Sequence, residues 1–419
     1  MNIITKLAWK SLNNRLSTVA LTIFTVAISV MLVLGVEQIR TQAKESFSNT
    51  ISGTDLIVGG RSGSTNLLLY SVFHIGNATN NIDWKSYQEF SQHRAVKWAV
   101  PISLGDSHRG FRVMGTNEDY FSFFKYGRKQ SLNFSKGRSF SSLFETVIGA
   151  DVAKKLNYHI GDKIVIAHGL RDAGFSRHDN LPFVITGILA PTGTPVDKTV
   201  HVSLEAIEAI HIGWESGANL GYNPTQKEAM QADLQPKQIT AMLVGLKSKI
   251  QTFTLQRQIN TYKQEPLSAI LPGVALAELW SMMSIAEQAL LIISFFVVIS
   301  GLIGMLCSLL TSLHERRREM AILRAMGAKP QHIATLLISE ATAITFLGIL
   351  SGFLFLQALL LLFSPVLQSH YGLTFDLRLP HSNEWLILGM IQLSGIFLGA
   401  IPAFKAYKNS LSDGMSIRV

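Results

Sequence analysis

The sequence predicts an α-helical membrane domain of four transmembrane helices, with a large mixed α/β extracytoplasmic domain inserted between helices 1 and 2. Three observations predict it. Four long apolar runs occur in a chain of 419 residues that is 47% hydrophobic, each run long enough at 1.5 Å per residue to cross roughly 30 Å of hydrocarbon. Nearly 250 residues separate the first run from the second, and they carry short alternating apolar segments bounded by glycine turns, the pattern of strands mixed with helices. The basic residues are also unevenly placed. Lys6, Lys10, Arg15, Arg316, Arg317, Arg318, Arg324, Lys329, Lys405, Lys408 and Arg418 face only Glu315, Glu319 and Asp413, an excess of +8 out of a net +9. A positive-inside distribution puts both termini and the link between the second and third runs in the cytoplasm. The same placement removes the case for nucleic acid as a partner, because the charge lies beside spans rather than on one face of a soluble domain.

Residues 1–15 alternate Ile3, Ile4, Leu7, Ala8, Trp9 and Leu12 with basic residues, which predicts a cytoplasmic amphipathic helix lying on membrane lipid. Span one is 16–36. It is longer than a signal-peptide core and lacks a small-x-small cleavage site. Residues 37–285 form the exported domain, entered through a helical stalk at 37–51 and left through a second stalk at 274–284. Between the stalks, Asp55–Val58, Phe111–Gly115, Thr146–Gly149, Lys163–Ile166, Phe183–Leu189 and Lys237–Leu246 read as strands. Ala150–Leu156 and Leu204–Ile210 read as helices, and Gly59-Gly60-Arg61-Ser62-Gly63-Ser64 as a flexible turn. Span two is 286–310, the link 311–332, span three 333–363, a short extracytoplasmic loop 364–384, span four 385–404 and a cytoplasmic tail 405–419.

The link is the most informative stretch. Met320, Ile322, Leu323 and Met326 recur at spacings of three and four beside Arg317, Arg318, Arg324 and Lys329, which predicts an amphipathic helix with one apolar and one basic face. Gly327 suits the position just past its end, and Pro330 stops it. The plainer reading is a charge anchor against the inner leaflet. The chain contains no Gly-Lys dipeptide, so it has no Walker A loop and no ATPase site of its own.

The run Glu-Arg-x-Arg-Glu-x-Ala-x-Leu-Arg-Ala-x-Gly-Ala, Glu315 to Ala328, resembles the cytoplasmic link of ABC-transporter permeases of the MacB, LolC/LolE and FtsX type. Gly137-Arg138-Ser139-Phe140, Val147 to Ala153 and Gly161-Asp162-Lys163-Ile164 are similar to the periplasmic core domain of MacB-type permeases, and Pro402-Ala403-x-x-Ala406-Tyr407 to the family's closing motif. The resemblance implies that Glu315, Arg316, Arg318, Glu319, Arg324 and Gly327 belong to a coupling element that docks into a groove on a separate cytoplasmic ABC ATPase subunit. It implies a non-catalytic subunit holding no cofactor, with ATP and Mg bound by the partner ATPase. It further implies a permease homodimer in the inner (cytoplasmic) membrane, and a periplasmic adaptor, lipoprotein or substrate-binding partner for the exported domain. ATPase motion would then be passed along the stalks, a process called mechanotransmission, to export or extract an envelope substrate. The alternative within the resemblance is a regulatory complex that controls a cell-wall hydrolase or sensor without transport.

Other residues invite chemical readings. Glu340 lies about 10 Å inside span three, where a carboxylate needs a partner; it is either a buried structural hydrogen bond or part of a proton relay. Gly348 and Gly352 in span three, Gly395 and Gly399 in span four, and Ser300-x-x-x-Gly304-x-x-x-Ser308 in span two are close-approach signals for helix packing. Eight exported histidines (His74, His93, His108, His159, His168, His178, His201 and His211) lack the H-x₃₋₅-H spacing of a local zinc site. Cys307, the one cysteine, excludes a disulfide within the chain. No G-x-S-x-G elbow is present, so a hydrolase reading has no nucleophile motif.

Overall fold

The computed structural model describes residues 16–168, 180–213, 224–315, 317–371 and 378–408. The amphipathic helix predicted at 1–15, Arg316, His178 and the tail beyond 408 lie outside them. The chain divides into two compact units. One comprises 1–42, 284–368 and 374–419, and the other 43–283 with 369–373.

The first unit is a helix bundle. Helices α1 (Leu16–Asn49), α2 (Pro272–Glu315), α3 (Arg317–Ala325), α4 (Pro330–Tyr371) and α5 (Ser382–Lys408) supply it, and among the described residues four of them are long and apolar enough to cross a membrane. Its core joins Val26, Val30 and Leu34 of α1 to Leu302 and Met305 of α2, Ile344 and Leu356 of α4 and Ile391 of α5. Helix α4 runs eight residues past the predicted end of span three at Phe363 and passes through Pro365. Helix α5 opens on a polar clasp: the buried carboxylate of Glu384 accepts the amide of His381 and a guanidinium N–H of Arg378, both at 2.9 Å.

The second unit is built on a mixed sheet. Nine strands form its main path: β1 (Leu56–Gly60), β2 (Val96–His108), β3 (Phe111–Thr116), β4 (Phe134–Gly137), β5 (Glu145–Ile148), β6 (Phe183–Leu189), β7 (Thr199–Ser203), β8 (Ala241–Leu246) and β9 (Leu267–Ile270), in the order β9-β1-β8-β2-β3-β7-β5-β6-β4. Most pairs are antiparallel, but β7 runs parallel to β3 and β6 parallel to β5. The 13-residue β2 ties the halves together. Its first half pairs with β8 and its second with β3, and an irregularity between Leu104 and Ser107 bends it from one half into the other.

Two predictions are corrected here. Gly59 and Gly60 belong to β1 rather than to a flexible turn. The strand is fully covered: Leu56 and Val58 join one core cluster and Ile57 another. The helix Ser64–Val72 lies so close that a Cβ on Gly59 would stand 2.5 Å from Leu67 and from the Tyr70 hydroxyl, while one on Gly60 would meet the Asn80 carbonyl at 2.7 Å. Glycine is required there for approach, not for flexibility. The predicted strand Lys237–Leu246 is divided at Thr240. Gln238–Ile239 pairs with Ile82–Asp83, whereas Ala241–Leu246 joins the main sheet. Thr240 Oγ1 accepts the Leu104 amide at 2.9 Å and ties the break to β2.

Candidate functional site

The link between α2 and α4 is helical over Arg317–Ala325. Its inward side is set by Met320 and Ala321, each 8% exposed. Met320 packs in one cluster with Leu313, with Ile333 and Leu337 at the start of α4, and with Ala403 and Ala406 at the end of α5. Ile322 and Met326 instead stand 52% and 72% exposed. The expectation of a single apolar face is thereby corrected. Residues two apart on a helix diverge by about 200°, so Met320 and Ile322 cannot share a side. What results is a helix keyed into the bundle by Met320 with an exposed stripe of Glu319, Ile322 and Met326, spaced by three and four.

The ends of the link follow from its residues. Gly327 has φ +96° with open space around its Cβ position, and its amide donates to the Arg324 carbonyl at 3.0 Å, the left-handed stop that glycine adopts without strain. Pro330 is the first residue of α4 rather than the last of the link, a position where its missing N–H costs nothing. His332 completes the start by accepting the Lys329 amide at its Nδ1, 3.2 Å away. Glu315 is exposed at the end of α2, Arg324 is half-buried, Arg318 is within the helix, and Arg316 falls outside the described residues.

The four packing glycines all meet other helices of the same chain. A Cβ on Gly348 would stand 2.6 Å from Val26 Cγ1, and one on Gly352 would stand 2.5 Å from the Ala27 carbonyl oxygen, so α4 lies directly against α1. Gly395 and Gly399 of α5 meet Thr345 and Ala341 of α4. The α1–α2 contact differs from the motif read in span two. Gly301 is the buried small residue and faces Ser29, whereas Ser300 is exposed and Gly304 has only Thr25 at 3.9 Å. Thr22 Oγ1 donates to Ser308 Oγ at 2.9 Å, and Ser29 Oγ donates to the Val297 carbonyl at 3.2 Å. The signal for these was the small polar pair Thr22 and Ser29, seven residues apart in an apolar span. Glu340 is 3% exposed and is not a free carboxylate.

Three histidines of the second unit are built into its fold. His201 has no exposed surface, stands 3.2 Å from the Val147 carbonyl and sits beside Tyr120 and Phe121. Burial, with His74 nearby, lowers its pKa to about 3. His74 Nδ1 lies 3.0 Å from Thr199 Oγ1, and His108 is held between the Val165 carbonyl and the Tyr158 hydroxyl. Among the described residues, no three His, Cys, Asp or Glu side chains are grouped to hold a metal ion. In the Gly137-Arg138-Ser139-Phe140 stretch, Arg138 makes a fork of two hydrogen bonds, 2.8 and 2.9 Å, to Glu145 and holds that carboxyl at about 2.

A bundle with four helices long and apolar enough to cross a membrane, with an α/β domain inserted after the first of them, is the layout of a polytopic membrane protein. The particular family follows from sequence comparison. Residues 19–262 match the MacB-like periplasmic core domain and residues 291–411 match the FtsX-like permease C-terminal domain. The chain belongs to the MacB/FtsX-like family of ABC transporter permeases, which work in partnership with an ATPase subunit. The periplasmic region of MacB from Actinobacillus actinomycetemcomitans is 11% identical at a TM-score of 0.35, over 55% of this chain and 94% of that one. The extracellular domain of the ABC-type transporter YknZ from Gram-positive bacteria is 13% identical at a TM-score of 0.30, over 52% and 99%. No curated protein matches the chain.

Proposed function

We propose that this chain is a non-catalytic permease subunit that takes up force from a cytoplasmic ABC ATPase at α3 and passes it to the exported domain. The observation that carries the reading is the two-sided link helix. Glu319, Ile322 and Met326 offer an exposed stripe with an apolar pair, while Met320 on the other side is keyed against α4 and α5. A partner groove that grips the stripe would pull on those two helices directly, because a close-packed contact transmits displacement rather than absorbing it. ATP and Mg would be bound by the ATPase alone. The positive-inside charge favours a cytoplasmic link and an exported unit on the periplasmic side of the inner membrane, and the output we assign is export or extraction of an envelope substrate.

Co-purification of the ATPase from native membranes tests the docking. Ile322→Glu with Met326→Glu places two charges in the apolar part of the stripe, and we expect most of the ATPase to be lost while the permease stays folded. Retention of the ATPase at the level of the unaltered chain would overturn the assignment. A regulated cell-wall hydrolase among the captured proteins, with no exported cargo, would replace the export output by a regulatory one.

A further inference from the structure

Helices α1 and α2 pair in opposite directions, so that climbing one descends the other: Thr22 meets Ser308, Ser29 meets Val297, and Arg40 meets Glu287. The last contact differs in kind from the two below it. Arg40 makes a fork to Glu37 on its own helix, Nη2 to Oε1 at 2.7 Å and Nε to Oε2 at 3.0 Å. Its third nitrogen, Nη1, stands 3.7 Å from Oε2 of Glu287 on α2. Glu37 is 6% exposed, whereas the side chains of Arg40 and Glu287 keep 35% and 25% of their surface.

We infer that Arg40, fixed by Glu37, is a releasable electrostatic latch that holds the outer end of span one to the outer end of span two through Glu287. The asymmetry is the argument. A bidentate, charge-assisted pair with a buried carboxylate is strong and geometrically specific, so the guanidinium is held in place whether or not Glu287 is present. The longer, half-exposed contact to Glu287 is of the weak, salt-screened kind. Parting of the two helices at this level therefore gives up only the weak ion pair among its charged contacts, with the edge-on packing of Phe47 against Trp280 further out, and leaves neither Glu37 nor Arg40 stranded. Two buried amides accompany the latch. Gln38 Nε2, beside it on α1, and Gln357 Nε2 on α4 have no hydrogen-bond partner among the described residues. Gly35 against Leu356 at 3.4 Å puts these two at one level of the bundle, and buried donors left without acceptors are the exception in a settled packing. The latch rests on the reading that force passes along these helices, and its test is independent of the ATPase.

Spin labels at Lys44→Cys and Met282→Cys, in a Cys307→Ser background and in the full chain reconstituted without ATPase, report the separation just beyond the latch. Glu287→Gln is expected to raise the fraction of the longer-distance component about two- to fivefold, the range of a weak exposed ion pair. High salt should raise it in the unaltered chain and leave Glu287→Gln unchanged. Glu45→Gln, which removes an exposed charge on α1 outside the latch, should behave as the unaltered chain. Equal distributions in Glu287→Gln and the unaltered chain, or the same salt response in both, overturn the latch. A salt-sensitive latch that ATP and ATPase do not open overturns the force-transmission reading and leaves the contact itself standing.

Discussion

Replacing Gly352 by alanine adds one methyl group, and the structure fixes where it goes. The new Cβ would stand 2.5 Å from the Ala27 carbonyl oxygen, 3.0 Å from Val30 Cβ and 3.1 Å from the Ala27 Cα. Ordinary contact begins near 3.4 Å, so α4 must withdraw from α1 by most of an ångström, and the opposing atoms are backbone and a Cβ, which no rotamer change moves. Overpacking of this kind costs about 1–3 kcal/mol. Alanine returns up to about 1 kcal/mol through its better helix propensity. Gly389→Ala on α5 isolates that gain, because nothing lies within 4 Å of its Cβ position. Reversible unfolding in mixed micelles, followed by circular dichroism, should place Gly352→Ala about 1–3 kcal/mol below Gly389→Ala, a factor of roughly five to 150 in the equilibrium constant. Equal stabilities would refute the direct α1–α4 contact.

Three further outcomes are expected. Glu319→Lys and Arg324→Glu should each weaken capture of the ATPase, and the purified permease should hydrolyse no ATP above background; normal capture by both variants would remove the link as docking element. Because burial depresses the pKa of His201 to about 3, the unfolded state takes up a proton that the folded state refuses. Stability should therefore fall as pH drops below about 6.5, by about 1.4 kcal/mol per pH unit for this imidazole until its folded pKa is reached. Hydrogen exchange at the Val147 and Val200 amides of the full chain reads this slope, and His201→Leu should remove the His201 share of it while leaving that of His74, whose burial beside Arg112 lowers its pKa to about 4. An impermeant thiol reagent should label Lys154→Cys in spheroplasts and spare Ser410→Cys, both in a Cys307→Ser background; the reverse pattern would invert the topology.

The bundle was legible because spans announce themselves by length and apolar composition, and because small residues at spacings of four mark close approach. That signal located Gly348, Gly352, Gly395 and Gly399, and it failed at Gly301, where the neighbouring Ser300 completes the spacing but points outward. The link was legible as a helix with a stop at Gly327, yet its faces were not. Composition counts Met320 and Ile322 alike, while the geometry of a turn sends one inward and the other out. Gly59 and Gly60 misled for a related reason: a glycine pair serves a flexible turn and a crowded strand equally, and only the helix Ser64–Val72 packed over β1 separates the two. Arg40 gave no signal at all, since its importance lies in Glu287, on the far side of the inserted domain in sequence.

The central claim is that ATP on the partner subunit moves the outer parts of α1 and α2 relative to each other. Pulsed distance measurement between spin labels at Lys44→Cys and Ala277→Cys, in the reconstituted complex with ATPase, tests it most directly. The account predicts one distribution without nucleotide, a different one with ATP held unhydrolysed, and loss of that difference when Ile322→Glu and Met326→Glu disable docking. Identical distributions with and without ATP, in a complex shown to bind it, would contradict the account.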